Sequence, residues 1–427
     1  MNKSIQYVLF ISILITGSFS NALYAVEHNL PLDLTIEESR SFYKQLQKSK
    51  SIIVQDQNTK DSIASGERLL SWIDLINKTR SDDQKIRLTS KKTQRGIPID
   101  KPSEYGPSTI KAKLEELKIE MPDYLQRILF EGDEVTSTLK VTDAEFIKWG
   151  RKLSGLYQSA VRWTGMQRWL DHYEARKTND VRGYYHLKKI NNLNKILNDT
   201  TLVTSDELDK IKESLIGICL NNFSKKRSCE KGLKSAVKKN TLLKYKNTYW
   251  KGAVQNWDGF FKISDPRTDV IWNSDNPNLM EVTFKDPKNE VIADWLKVNI
   301  EDEFRRPLLN WNLEMRFIRG GWFTAYLEFK KNVTPHVSGG NKVVMDANTD
   351  IEEYGVRWTI RHEYGHILRI PDCYHEFYDK ERNLMINYQL DVTDLMCSRA
   401  GVMNDRIYEE LKRVYYKESK NSKVNLK

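Results

Sequence analysis

The chain has little histidine, and what it has is unevenly placed. Seven histidines occur among 427 residues, and three of them fall in the fourteen residues from His362 to His375. Cysteine is scarcer still: four residues, none in a Cys-x-x-Cys spacing, which argues against a structural zinc knot or a thioredoxin-like redox pair. Beyond the first 25 residues no apolar run approaches the length a bilayer-crossing helix needs, so no membrane span is expected in the mature chain. No repeat of fixed period is visible, which argues against solenoids and propellers. Neither a myristoylation signal nor a lipid-accepting cysteine stands near the start.

What is present begins with an export signal. Lys3 lies in a short basic start, an apolar run follows from Tyr7 to Thr16, and small residues offer cleavage after Ala22 or Ala25. Residues 1–25 are therefore expected to be removed, and the mature protein to be secreted or periplasmic. An oxidising compartment suits the four cysteines, and proximity pairs Cys219 with Cys229 and Cys373 with Cys397. The net charge of +10 is spread along the chain, densest at Lys225-Lys226-Arg227, at Lys238-Lys239 and in the tail from Lys417. A basic surface favours anionic partners in general, but these patches read as solvated faces and no nucleic-acid partner is expected. Between Arg162 and Trp169 bases alternate with aromatics, yet the helical spacing makes the tryptophans core residues rather than a stacking platform.

About 400 mature residues suggest two domains. From Thr35 to about Tyr249 apolar residues recur at spacings of three and four, as in the runs Ala144–His172 and Asp206–Leu220, and predict helices. Thr89 to Pro107 is polar and proline-bearing and reads as a loop. The texture changes to Asp, Asn and Pro between Lys262 and Pro287, placing the boundary near residue 265. Beyond it, Leu279–Phe284, Leu313–Arg319, Phe323–Phe329 and Lys342–Asp346 read as strands, and Val291–Phe304 as a helix. A further helix is predicted from about Glu352 to Leu368, and a last one from Asn404 to Tyr416. The fold class expected is α+β, with a helical domain over 26–264 ahead of a mixed domain over 265–427.

The informative segment is His362-Glu363-Tyr364-Gly365-His366. On a helix, positions i and i+4 share a face, so the two imidazoles can grip one ion while Glu363 leans toward its open position. Pro371 cannot continue the helix and biases Ile370 to extended backbone, so the chain turns near Arg369 and can bring Asp372 to the same ion. Two histidines and a carboxylate leave one position for water, the pattern of a catalytic rather than a structural zinc site. His375, Glu376 and Asp379 are the alternatives to Asp372.

The run His362-Glu363-x-x-His366-x-x-Arg369-x-x-Asp372 resembles the elongated zinc motif of metzincin metallopeptidases, in the variant whose third ligand is Asp. Pro371-Asp372-x-Tyr374 is similar to the Pro-Asp-x-Tyr of secreted bacterial peptidases of the immune-inhibitor-A type. The chain departs from that pattern at Arg369, where the motif has a glycine because its helix ends at positive φ. A non-glycine residue there costs about 1–2 kcal/mol.

The resemblance implies a twisted mixed sheet, a zinc helix, a Met-turn and a C-terminal helix over about residues 270–420. It implies Met396 as the turn methionine, with Met403 the competitor, and a Cys373–Cys397 bond would then pin the third-ligand loop to that turn. The implied activity is that of a zinc-dependent endopeptidase with His362, His366 and Asp372 on the metal and Glu363 as general base. Tyr374, Tyr378 and Tyr388 are candidates to assist the oxyanion. A protein or peptide substrate would pair with a strand edge between Phe323 and Asp346. Two other classes stay open: a secreted binding or structural protein with a vestigial zinc site, and a zinc hydrolase of a non-peptide amide such as a cell-wall crosslink.

Overall fold

The computed structural model describes residues 56–89, 103–222, 225–321 and 324–418. The segment expected to be an export signal, Phe323 and the end of the basic tail lie outside these residues. The architecture is mixed α and β. Among the described residues no helix is long and apolar enough to cross a membrane.

The first half holds α1 (Gln57–Asn77), a strand β1 (Ser103–Tyr105), α2 (Pro107–Glu120), α3 (Asp123–Gln126), α4 (Asp143–Met166), α5 (Leu170–Ala175), α6 (Arg182–Lys188), α7 (Leu193–Asn198), α8 (Ser205–Leu220), α9 (Lys226–Lys238) and α10 (Leu242–Asp258). Local chemistry sets several starts. The Thr204 hydroxyl accepts from Glu207 N–H while the Glu207 carboxylate accepts from Thr204 N–H, a reciprocal cap on α8. The Thr142 hydroxyl caps α4 by accepting from Glu145 N–H. Cys219 and Cys229 are bonded, tying α8 to α9.

Two expectations fail here for physical reasons. The single helix expected over Ala144–His172 breaks after Met166 into a 3-10 turn at Gln167–Trp169 before α5 resumes. Gly165, a poor helix former, precedes the break. The segment Thr89–Pro107, expected to be only loop, contains β1. That strand owes its existence to pairing with the distant segment Leu384–Gln389, since three residues of ordinary propensity would not hold one alone.

The second half runs β2 (Val270–Asn273), β3 (Asn276–Lys285), α11 (Glu290–Glu303), β4 (Arg305–Arg306), β5 (Trp311–Ile318), β6 (Tyr326–Lys330), β7 (His336–Ser338), β8 (Lys342–Asp346), α12 (Tyr354–Ile367), β9 (Tyr374–Asp379), β10 (Leu384–Gln389) and α13 (Asp405–Tyr415). Strands β2-β3-β5-β4 form one sheet, with β3 and β5 parallel. Strands β6-β8-β7 form another, with β6 and β8 parallel. A parallel bridge from Phe284 to Ala325, and the Lys285 N–H donating to Ala325 O at 2.7 Å, carry the first sheet into the second. The outer edge of the second sheet is the short β7.

Helix α12 lies on these sheets through Ile360, Tyr364 and Ile367, all fully buried. Tyr364 sets its ring against Phe284 and Phe304, at centroid distances of 6.4 and 5.7 Å. Burying side chains of this size contributes about 1.5–3 kcal/mol each. The same core takes in Met396, Cys373 and Cys397 below the helix, and Ile407 and Leu411 of α13.

A third, antiparallel sheet has the order β1-β10-β9, with Tyr105 opposite Met385 and Ile386 opposite Phe377. Through β1 the helical half supplies a strand to a sheet of the second half. The core around α1 and α4 also takes in Tyr378 and Met385. At the start of α12 the Glu353 carboxylate accepts from Leu88 N–H at 2.7 Å, Thr89 N–H at 3.0 Å and the Thr89 hydroxyl at 2.6 Å. Tyr157 of α4 donates to Asp346 at 2.6 Å. The two halves are therefore interleaved, not merely adjacent.

Candidate metal centre

Helix α12 places His362, Glu363 and His366 in its buried last turns. The His362 and His366 rings lie 4.9 Å apart between centroids and nearly perpendicular. Each ring is fixed from behind. His362 Nδ1 is 2.8 Å from the Leu395 carbonyl oxygen, and His366 Nδ1 is 2.9 Å from that of Ile370. A carbonyl only accepts, so Nδ1 donates in both rings and Nε2 is the atom left for a proton or a metal.

The helix ends as a positive-φ turn requires. Arg369 adopts φ 65°, its N–H donates to His366 O at 2.9 Å, and Ile370 N–H reaches back to Gly365 O at 3.0 Å. That pair of bonds is a Schellman ending with Arg369 at the left-handed position. Tyr415 of α13 donates to Leu368 O at 2.9 Å and closes the cap. The chain then passes Pro371 and delivers Asp372. Its Oδ1 lies 3.2 Å from His362 Nε2 and 3.1 Å from His366 Nε2. Asp372 is thus the carboxylate that the turn brings to the histidine pair.

Arg369→Gly should change stability by no more than about 1 kcal/mol, because relief of backbone strain is offset by added unfolded-state entropy. Chemical denaturation of the variant checks this. A loss of several kcal/mol would mean that the arginine side chain, not its backbone, holds the turn.

The other sequence candidates go elsewhere. His375 is fully buried on the opposite face of β9, with its ring against Phe260, Phe377 and Tyr388. Glu376 accepts from Arg162 and from the Tyr105 hydroxyl. Asp379 accepts from Arg382 Nε at 2.9 Å. Of the tyrosines, Tyr378 donates to Asn383 and Tyr388 to Asp180. Tyr374 instead lies over His362, with centroids 6.4 Å apart and planes 23° from parallel.

Below the helix, Cys373 and Cys397 are bonded, with Cα atoms 4.3 Å apart. Cys373 N–H donates to Met396 O at 3.2 Å. Asp394 organises the turn, accepting from Met396 N–H at 2.8 Å and from Arg406 Nε at 2.7 Å. The Met396 sulfur sits so close under the helix that a Cβ at Gly365 would collide with it. Met403 does not compete for this place; just ahead of α13, its N–H donates to Glu303 at the end of α11. The cluster Cys373, Asp394 and Cys397 has metal-ligand spacing, but its sulfurs are taken by the disulfide.

The electrostatics at the histidine pair favour a cation. Burial works against charge on His366, yet the Asp372 carboxylate outweighs it and raises the imidazole to about 9. Burial would lift Asp372, but His366 and His362 hold it well below the usual carboxylate range. Tyr374 is pushed well above an ordinary phenol, by burial first and by Asp372 second, so its hydroxyl remains a donor at neutral pH. The three ligand atoms lie within 4.8 Å of one another, and the set of two imidazole nitrogens with one carboxylate oxygen suits zinc.

The residues that sequence reasoning missed are Arg162 and Tyr105. No local pattern could reveal them, because each meets Glu376 across more than 200 residues of chain. Comparison of the chain with family models, with curated proteins and with solved structures finds no match.

Proposed function

We propose that the chain is an exported zinc-dependent peptidase of metzincin-like design. The observation that carries this reading is the convergence of His362 Nε2 and His366 Nε2 on Asp372 Oδ1, with Glu363 buried beside them on the same helix. The order of mixed sheet, histidine helix, carboxylate, methionine turn and terminal helix supports the family resemblance. The left-handed Arg369 ends the helix as the motif's glycine would, which supports a working site over a vestigial one.

His362, His366 and Asp372 would hold the ion. When bound, zinc supplies Lewis acidity, making a water more acidic and drawing electron density from a carbonyl. The remaining steps belong to side chains of this protein. A Glu363 carboxylate oxygen takes the proton from the attacking water and later gives it to the leaving amine. Tyr374, lying over His362 and held as a phenol, donates a hydrogen bond to the oxyanion that forms. Leu395 O and Ile370 O keep the two imidazoles oriented, and the Cys373–Cys397 bond ties the Asp372 loop to the Met396 turn. An extended peptide substrate would pair with the outer edge of β7, which has no partner strand on that side among the described residues.

The test joins metal content to hydrolysis of a generic protein substrate. Asp372→Ala should lower zinc affinity by about 10-fold or more, an order that even loss of an outer-shell partner reaches. His375→Ala and Glu376→Ala should leave zinc content near that of the parent. Unchanged affinity in Asp372→Ala would show that the ligand set is wrong. Full zinc occupancy with no hydrolysis of peptide or amide substrates would move the protein to a binding role.

A further inference from the structure

We propose that the fold encloses a site for one small monovalent anion at Arg176, behind β9 and separate from the histidine pair. Arg176 opens a 3-10 turn, Arg176–Asn179, that packs on β9. Its side chain is 1 % exposed, and its Nε, Nη1 and Nη2 find no acceptor among the described residues. The guanidinium lies 4.9 Å over the Tyr173 ring, which offers it a face but accepts none of its in-plane N–H groups.

The neighbouring arginines show what is missing. Arg162 has its own carboxylate, with Nη2 2.6 Å from Glu376. Arg182 has its own as well, with Nε 2.8 Å from Asp180, which also accepts from the Tyr388 hydroxyl at 2.5 Å. Arg162 and Arg182 each hold a carboxylate directly, whereas Arg176 has none within hydrogen-bond reach among the described residues. A guanidinium cannot shed its charge by deprotonation, so one negative charge is needed there. Water alone would answer the N–H groups but not the uncompensated buried charge.

His375 supplies a second, independent pointer. It is 0 % exposed, and neither ring nitrogen has a partner among the described residues. The charges acting on it are those of Asp180, Arg176 and Arg182, which places it among the same groups. Burial pushes its pKa down to about 3, so it contributes no charge but does carry an N–H. The near-complete burial of Arg176 and His375 limits the occupant to something of halide or single-carboxylate size. The shared chemistry is a small monovalent anion, either a free ion or the carboxylate of a short organic acid.

The experiment uses the full mature protein. Thermal unfolding is followed in sodium gluconate, sodium bromide and sodium acetate at equal ionic strength, so that screening is constant. The midpoint should rise by about 3 °C or more in bromide or acetate over gluconate, the shift expected for a ligand well above its Kd. Acetate acting where bromide does not would identify a carboxylate site. Bromide-soaked crystals should place an anomalous peak in contact with Arg176. Arg176→Met should lose the salt dependence and, in gluconate, unfold no lower than the parent, because the uncompensated charge has gone. Equal midpoints in all three salts would overturn the proposal, as would bromide found only at adventitious surface positions. Should Arg176→Met fail to fold, the salt series and the bromide crystals of the parent still decide.

Discussion

Glu363→Gln is expected to lower turnover of a protein substrate by at least about 10²-fold, the low end for loss of a general acid–base, while zinc stays bound. The substitution keeps the shape of a side chain that is only 3 % exposed, so packing under the helix is preserved. It removes the proton acceptor but none of the ligand atoms, since the converging set is His362, His366 and Asp372. His366→Ala is the matching control: it removes a ligand and should empty the site, losing activity and metal together. The measurement is zinc per chain by elemental analysis beside initial rates on a generic protein substrate. Near-normal hydrolysis by Glu363→Gln would end the peptidase mechanism. Loss of zinc from that variant would place Glu363 among the ligands instead.

The parts of the site that were legible in the sequence are those governed by short-range rules. The histidine-bearing helix, expected from Glu352 to Leu368, runs Tyr354–Ile367, because Pro371 and the helical period fix its end within a residue or two. The turn at Arg369 and the delivery of Asp372 follow from the same constraint. The Cys373–Cys397 pairing was legible from proximity alone. What escaped was everything set at long range. Glu376 stood near the motif in sequence and so entered as a reserve ligand. Strand alternation on β9 instead turns Tyr374 and Glu376 toward His362 and Arg162, and His375 and Phe377 to the other side. Strand β1 was illegible for a related reason. Its hydrogen bonds come from β10, nearly 300 residues away, and no window of local sequence contains both.

Arg162→Met should destabilise the protein by about 3 kcal/mol, the low end for removing one partner of a buried pair. The low end applies because the Arg162 side chain keeps 24 % exposure, whereas Glu376 keeps only 2 %. The loss arises less from the pair itself than from the carboxylate left behind, which would retain only the Tyr105 hydroxyl. Adding Glu376→Gln should therefore recover much of the loss, and that recovery is the signature that separates a stranded charge from lost packing. Denaturant unfolding of the two single variants and the double variant supplies the cycle; a double variant as unstable as the sum of the singles would refute the pairing argument. The expectation bears on what the helical half is for. Arg162 on α4 and Tyr105 on β1 both grip Glu376 two residues beyond Tyr374, and β1 covers an edge of β10. A pro-region built to leave would strand Glu376 and uncover that strand edge. Under the export proposed above, the mature form is therefore expected to keep both halves, with an intact mass that begins just after Ala22 or Ala25. A stable, active species starting near residue 265 would show that the helical half is dispensable.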